Sequence, residues 1–213
     1  MIIAIDGPAA AGKGTLAKRL AAEFNFAYLD TGALYRAVAL TLIQDGADPA
    51  DEAAAERVSA NLDLSVIGDA ALRSEATGGA ASVVAAMPRV RDNLLQLQRN
   101  YASNPPQNKE GVVLDGRDIG TIVCPKADLK LFVTASAEVR AKRRVAELAT
   151  RGDSADYDTI LADVKARDER DMNRAQAPLK PAADALLLDT TLLDIDAVFL
   201  RAVQIVKANA KTD

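Results

Sequence analysis

Short apolar runs alternate with longer amphipathic stretches along this chain. The apolar runs cover residues 1–5, 26–29, 112–114, 129–133 and 185–188, and each has the length of a buried strand. Helical spacing of apolar positions predicts helices over residues 12–25, 33–44, 137–148, 157–174 and 195–207, with a further helix opened by Pro88. Because strands alternate with helices, the pattern predicts parallel βαβ units in one α/β domain, with helices on both faces of the sheet.

A glycine-rich segment lies between the first predicted strand and the first predicted helix. It consists of Gly7-Pro8-Ala9-Ala10-Ala11-Gly12-Lys13-Gly14-Thr15. This segment fits the phosphate-binding pattern G-x-x-x-x-G-K in the strand–loop–helix context that the pattern requires. Its glycines let backbone N–H groups turn toward a phosphate, the helix adds its positive end, and Lys13 adds a mobile charge. We predict that the loop binds ATP; the alternative is a Gly/Ala-rich turn that binds nothing.

The loop departs from the usual pattern at one position. Gly14 stands where a Ser or Thr usually supplies a hydroxyl to magnesium, and Thr15 follows one place later. We therefore assign no direct metal ligand and expect phosphates and water to hold most of the metal.

Arginines recur at helical spacing in the second half of the chain. Residues 137–148 carry Arg140, Arg143 and Arg144 at i, i+3 and i+4, and residues 157–174 carry a second such set. That second set is Arg167, Asp171 and Arg174. The polar segment 150–154 joins the two helices, so together they are typical of a lid that closes over phosphates. The alternative is a pair of solvated faces with ordinary i,i+4 ion pairs.

A further polar segment, residues 114–120, follows a buried strand. It contains Arg117 between two acidic residues, with glycines that let the backbone approach a ligand closely. Ligands in parallel sheets collect at the carboxyl ends of the strands, so Arg117 is a candidate for binding a polar ligand. A plain turn with a salt bridge is the alternative for this segment.

Composition excludes several classes of function. The chain has no histidine, which removes His-based triads and His metal sites, and its net charge of −4 argues against nucleic-acid binding. It shows no signal peptide and no apolar run long enough for a membrane span. The single cysteine, Cys124, fits a reducing cytoplasm. The only Asn-Lys pair, Asn108-Lys109, lacks the Asp that a guanine-nucleotide switch would need.

Taken in order, the motifs closely resemble those of the bacterial cytidylate kinases, a family of nucleoside monophosphate kinases. The matching segments are IDGP and GKGT within residues 5–15, LDTGALYR at 29–36, PRVR at 88–91, LDGRDIGT at 114–121, RDERDMNR at 167–174 and APL at 177–179. The resemblance implies a P-loop kinase three-layer sandwich: a five-stranded parallel sheet, flanking helices, a small acceptor-binding insert and a helical lid. It also implies a magnesium-dependent reaction in which ATP phosphorylates CMP or dCMP to the diphosphate.

The same resemblance implies a role for individual residues. Four would read the cytosine edge: Ser82, Arg91, Asp118 and Arg174. Five more would bind the rest of the acceptor: Arg167 and Asp171 at the ribose with Thr31 and Tyr35 nearby, and Arg36 at the phosphate together with Arg117. The catalytic residues would be Lys13, Arg117, Arg143 and Arg144. Because the acceptor is itself an ionised phosphate, the reaction needs no general base.

The resemblance also defines the expected boundaries. We expect one domain over residues 1–213, with the acceptor insert at about 60–105 and the lid at about 143–174, and we expect a monomer. The insert is shorter than the family commonly has, since only residues 66–71 intervene before the segment that begins at Leu72. The trimmed insert leaves the preference among CMP, dCMP and UMP open.

Other functions remain open from the residues alone. A different small-acceptor kinase, such as a UMP/CMP kinase or one of the shikimate or gluconate type, is the first; a hydroxyl acceptor would need a base, for which Asp115 is available. A regulatory protein that binds ATP without turnover is the second. A scaffold with a vestigial phosphate loop is the third.

Overall fold

The computed structural model describes residues 1–150 and 152–209, and its centre is a parallel sheet. The five strands are β1 (Ile2–Asp6), β2 (Ala27–Asp30), β3 (Val112–Gly116), β4 (Leu129–Thr134) and β5 (Leu186–Asp189). They lie in the order β2-β3-β1-β4-β5, and all pairs are parallel. The predicted five-stranded parallel sheet is confirmed. Its central strands β1 and β3 end together, with Asp6 opposite Gly116.

Helices cover both faces of this sheet. They are α1 (Lys13–Glu23), α2 (Thr31–Gln44), α3 (Glu52–Ala60), α4 (Glu75–Val84), α5 (Pro88–Ser103), α6 (Ala137–Thr150), α7 (Tyr157–Asn173) and α8 (Ile195–Asn209). Side chains of β1 alternate between the faces: Ile3 and Ile5 pack with α1 and α8, whereas Ala4 packs with Ala102 of α5. This alternation is the period of two that a strand imposes on its side chains.

Several predicted boundaries shift by one or two residues. Helix α1 ends at Glu23 because Asn25 adopts a left-handed conformation (φ 54°), and the N–H of Phe26 still bonds to the helix, so β2 starts one residue later than predicted. Helix α2 starts at Thr31 rather than 33, since the Asp30 carboxylate caps it by accepting from the N–H of Ala33 at 3.1 Å. These two shifts follow from the backbone conformation and hydrogen bonds at the helix ends.

The region between α2 and α5 holds structure that the apolar pattern did not predict. Helices α3 and α4 are separated by two short 3-10 turns, Leu64–Gly68 and Ala70–Arg73. Asp51 caps α3 and Ser74 caps α4, each accepting from a backbone N–H three residues on. These helices share an apolar cluster with α2 and α5, so tertiary packing stabilises them.

Helices α6 and α7 pack against each other beside the sheet. Their contact is a separate apolar cluster that includes Ala141, Leu148, Ile160 and Val164. Of the predicted link between them, Arg151 lies outside the described residues, as do residues 210–213 of the predicted domain. None of the helices in the described ranges has both the length and the apolar character needed to cross a bilayer.

Candidate functional site

The glycine-rich loop between β1 and α1 has the backbone shape of an anion-binding loop. Gly7 has a φ of 147°, and a Cβ there would lie 1.9 Å from the carbonyl oxygen of Val133, so only glycine fits. Gly12 has a φ of 89° and no side chain caps helix α1 there. The first N–H groups of α1 are therefore left for a ligand.

Two cationic side chains donate hydrogen bonds to carbonyl groups of the loop. Lys13 donates from Nζ to the carbonyl of Pro8 at 2.7 Å, and Arg140 donates to that of Ala9 at 3.2 Å. A peptide unit whose carbonyl is held in this way presents its N–H groups to the opposite side. The arrangement suits phosphate oxygens.

Lys13 lies almost fully buried among other cations and two carboxylates. Burial, reinforced by the positive charge of Arg117, lowers the pKa of Lys13 to about 7, although Asp115 and Asp6 act in the opposite direction. A buried ammonium with a depressed pKa is stabilised by an incoming anion. The loop is therefore electrostatically prepared for a phosphate.

Two aspartates stand at the carboxyl ends of β1 and β3. Asp6 accepts the N–H groups of Ile119 and Gly120 at 2.8 and 2.7 Å, yet burial raises its pKa to about 6. Burial and the charge of Asp30 raise the pKa of Asp115 to about 6 as well, and the Tyr28 hydroxyl donates to Asp115 at 2.9 Å. Both carboxylates therefore titrate well above the usual range of aspartate.

A cleft of about 360 Å³ opens above these strand ends and brings the predicted residues together. Every residue predicted to bind the acceptor lines it: Thr31, Tyr35, Arg36, Ser82, Arg91, Arg117, Asp118, Arg167, Asp171 and Arg174. So do Arg144 and the loop residues Ala9, Ala10, Gly12, Lys13, Gly14 and Thr15. The other loop residues, Gly7, Pro8 and Ala11, are buried and are not part of the lining.

One end of the cleft is a buried cluster of hydrogen-bonding groups. Arg91 pairs with Asp118, and Arg174 places Nη2 3.6 Å from the same carboxylate. The ring of Tyr35 lies 5.5 Å from the Arg91 guanidinium, and the buried hydroxyl of Ser82 has no hydrogen-bond partner within the described ranges. Unsatisfied donors and acceptors beside an aromatic ring suit a flat polar heterocycle.

The middle of the cleft carries an excess of positive charge. Arg117 donates from Nε to Asp171 at 2.9 Å. Burial opposes ionisation of Asp171, yet the positive charges of Arg117 and Arg167 hold its pKa below the usual value. Burial and the charge of Arg117 lower the pKa of Arg167 to about 10, and burial also lowers the pKa of Arg36. Arg36, Arg117 and Arg167 repel one another, and a phosphate dianion paired with their guanidinium groups would relieve that repulsion.

The predicted arginine face of α6 does not point in one direction. Only Arg144 lines the cleft, where it pairs with Glu75 of α4 and with Glu147 at 2.7 Å. Arg143 instead donates to the hydroxyl and carbonyl of Thr190 at 2.9 and 2.7 Å, beside the loop after β5. Arg140 is buried and outside the lining. The single lid face predicted for these arginines is therefore not the arrangement in this structure.

The cleft also contains polar residues that the motif reading did not assign. Lys18, Tyr28, Asp30, Arg73, Ser74, Glu75 and Asp115 line it. Asp115 was named only as a possible base for a hydroxyl acceptor, although its position at the carboxyl end of a parallel strand also indicates a ligand site. Arg73 and Glu75 depend on the position of α4, which the apolar pattern did not reveal.

Comparison with known proteins gives a consistent result over nearly the whole chain. A family model described as cytidylate kinase matches residues 3–208. The chain is 57% identical over 208 residues to the cytidylate kinase of Rhodopseudomonas palustris, an alignment that covers 98% of this chain and 96% of that protein. It is 58% identical over 205 residues to the cytidylate kinase of Paramagnetospirillum magneticum, covering 96% of this chain and 97% of that one. A crystal structure of an uncharacterized protein from Eubacterium ventriosum, 14% identical, shares the fold with a TM-score of 0.54 over 99% of both chains.

Proposed function

This chain belongs to the cytidylate kinase family, and we propose that it transfers the γ-phosphoryl group of ATP to the phosphate of CMP or dCMP. The observation that carries the proposal is the cleft itself, which joins the phosphate loop to the buried polar cluster. The cleft joins them through Arg36, Arg117 and Arg167, which we call the arginine strip. Two phosphorylated ligands bound at its two ends would direct their phosphates toward the same cations.

The donor half of the reaction would rest on the loop and Lys13. The N–H groups at the start of α1 would bind the β- and γ-phosphates, and Lys13 would regain its full positive charge beside them. Arg144 would leave Glu75 and turn toward the transferring group. Charge that spreads over the phosphoryl oxygens in the transition state would then face fixed cations, which is the main catalytic contribution expected for this chemistry.

The acceptor half would rest on the buried polar cluster and the arginine strip. We propose that Ser82, Arg91, Asp118 and Arg174 bind the cytosine edge, which offers an amino donor and two acceptors. Arg167 and Asp171 would bind the sugar, with Thr31 and Tyr35 near it. Arg36 and Arg117 would bind the acceptor phosphate. Since this phosphate is already ionised near neutral pH, no side chain has to remove a proton from it.

The carboxylates at the strand ends fit a magnesium ion. Asp115 and Asp30 lie on neighbouring strands at paired positions, and the charge of Asp30 raises the pKa of Asp115. A cation beside them would relieve that repulsion. The described residues contain no group of three or more His, Cys, Asp or Glu side chains arranged to hold a metal, so Asp115 would share the ion with nucleotide phosphates and water. When bound, magnesium neutralises phosphate charge during transfer.

The remaining expectations stay predictions of the sequence. They are a monomeric enzyme in the cytoplasm, an acceptor-binding insert at about 60–105 and a lid at about 143–174. A UMP/CMP or shikimate-type kinase is not favoured, because the chain aligns end to end with cytidylate kinases at more than half identity.

An acceptor panel tests the proposed function. Formation of ADP from ATP and magnesium should depend on an added acceptor, with CMP and dCMP preferred over UMP and AMP and no activity on shikimate or gluconate. A Lys13→Ala variant is the control for the site and should lose turnover by at least about a hundredfold while remaining folded. Rapid turnover of a hydroxylated acid with none of CMP would overturn the proposal, as would ADP formation that needs no acceptor.

A further inference from the structure

Arg140 and Asp168 form a buried ion pair that lies outside the cleft. Arg140 of α6 donates from Nη1 and Nη2 to the two carboxylate oxygens of Asp168 at 2.9 and 2.5 Å. The side chains are 5% and 14% exposed. Neither residue lines the cleft, so neither is expected to contact a nucleotide.

The same guanidinium also reaches two other parts of the molecule. Its Nε donates to the carbonyl of Ala135, just beyond the end of β4, at 2.9 Å, and Nη1 donates to the carbonyl of Ala9 in the phosphate loop at 3.2 Å. The planar fork of an arginine fixes the directions of all these bonds at once. One side chain therefore connects the sheet, the phosphate loop and helix α7.

Helix α7 presents acceptor-facing residues on either side of this contact. Asp168 is flanked in sequence by Arg167 and lies one turn before Asp171, and both of these line the cleft. Asp171 is in turn held by Arg117 at the end of β3, at 2.9 Å. Helix α7 is thus attached at Asp168, through Arg140, to the phosphate loop and at Asp171, through Arg117, to the end of β3.

We infer that Arg140 and Asp168 are positioning residues that set the spacing between the phosphate loop and α7, and so couple the binding of donor and acceptor. The inference rests on the proposed function. A shift of about 1 Å between reacting groups is enough to lower a rate about a hundredfold. A nucleotide that orders the loop around Ala9 also fixes Arg140, and through Asp168 it fixes the helix that carries Arg167 and Asp171.

Replacing Asp168 with Asn keeps the shape of the side chain but puts an amide N–H₂ against the guanidinium. Calorimetry would measure CMP affinity in the presence and absence of a non-hydrolysable ATP analogue, together with kcat. In the wild-type enzyme the analogue should strengthen CMP binding by about 5- to 150-fold, the usual range for coupled sites. In Asp168→Asn this gain should fall to about twofold or less and kcat should fall about a hundredfold, while the analogue alone binds within about twofold of wild type.

The matched control is Glu169→Gln, which removes a charge from the exposed face of the same helix and should preserve both coupling and kcat. If Asp168→Asn does not fold, Asp168→Glu retains the charge but adds one methylene, and it should fold with the same loss of coupling and rate.

The readouts separate positioning from a purely structural role. A folded Asp168→Asn or Asp168→Glu enzyme with wild-type coupling and kcat, changed only in melting temperature, would overturn the inference, as would a wild-type enzyme that shows no coupling. A wild-type enzyme that phosphorylates no CMP would instead overturn the proposed function.

Discussion

Some residues in the cleft have buried polar atoms that lack a hydrogen-bond partner among the described residues. Ser82 is buried with no hydrogen-bond partner among the described residues, and the same holds for the Nε of Arg167. A buried polar atom without a partner costs free energy. A ligand that supplied the partner would recover that cost, so we expect these atoms to contribute to specificity.

Replacing Ser82 with Ala should therefore separate binding from stability. We expect the variant to be at least as stable as wild type, because it removes an unsatisfied hydroxyl. The KM for CMP should rise about tenfold through loss of one hydrogen bond, with the KM for ATP unchanged. Thermal unfolding and steady-state kinetics measure both. A rise in the KM for ATP alone would contradict the assignment of Ser82 to the acceptor.

The two neighbouring arginines of α6 should behave differently. Arg144 lines the cleft, so Arg144→Ala should lower kcat by about a hundredfold through lost transition-state charge. Arg143 holds the loop after β5 through Thr190, so Arg143→Ala should mainly lower the melting temperature and weaken ATP binding. Kinetics of the two variants side by side provide the comparison. A larger loss of kcat in Arg143→Ala would restore the role predicted from sequence.

Among the secondary-structure elements, the sequence predicted those with strong local signals. Each of the five strands coincides with a predicted apolar run, although β5 is an edge strand in which only Leu188 is buried, and α5 begins at Pro88 as expected. Helices α3 and α4 escaped prediction because α4 contains Gly78 and Gly79, which weaken a helix, and both depend on packing against α2 and α5. The residues proposed to bind the acceptor were named from the family resemblance, and the structure shows that they line one cleft, whereas the direction of Arg143 was set by the tertiary position of Thr190.

The loop after β1 should be the element most sensitive to an added methyl group. Gly7→Ala would place a Cβ 1.9 Å from the carbonyl oxygen of Val133, a backbone atom that cannot move without distorting β4. We expect the free energy of unfolding to fall by about 3 kcal/mol or more. We also expect the variant to lose ATP binding.

Gly79→Ala provides the matched control for this change. Its Cβ would meet nothing within 4 Å, and it lies inside α4, so stability should rise by about 0.5–1 kcal/mol. Urea unfolding of both variants gives the comparison. A Gly7→Ala enzyme as stable as wild type would show that the loop differs from the structure described.

For the molecule as a whole, ATP binding should be linked to proton uptake. The pKa of Lys13 in the free enzyme is lowered to about 7, so at pH 8 the amine is mostly neutral, and phosphates beside it favour the ammonium form. Calorimetry in buffers of different ionisation enthalpy should show uptake of about one proton per ATP at pH 8. This contribution should shrink toward zero at pH 6, where Lys13 is already charged.

A Lys13→Met variant keeps the apolar stem and removes the titrating group. Its proton uptake at pH 8 should fall close to zero. Equal uptake by the two proteins would mean that another group titrates on binding.

One cleft should hold both nucleotides with their phosphates together. A ligand that joins adenosine to cytidine through a chain of phosphates tests this directly by calorimetry and competition. We predict one ligand per chain, competition with both ATP and CMP, and affinity at least about a hundredfold above that of either nucleotide alone. Competition with only one nucleotide, or binding no tighter than that of ATP, would contradict the account.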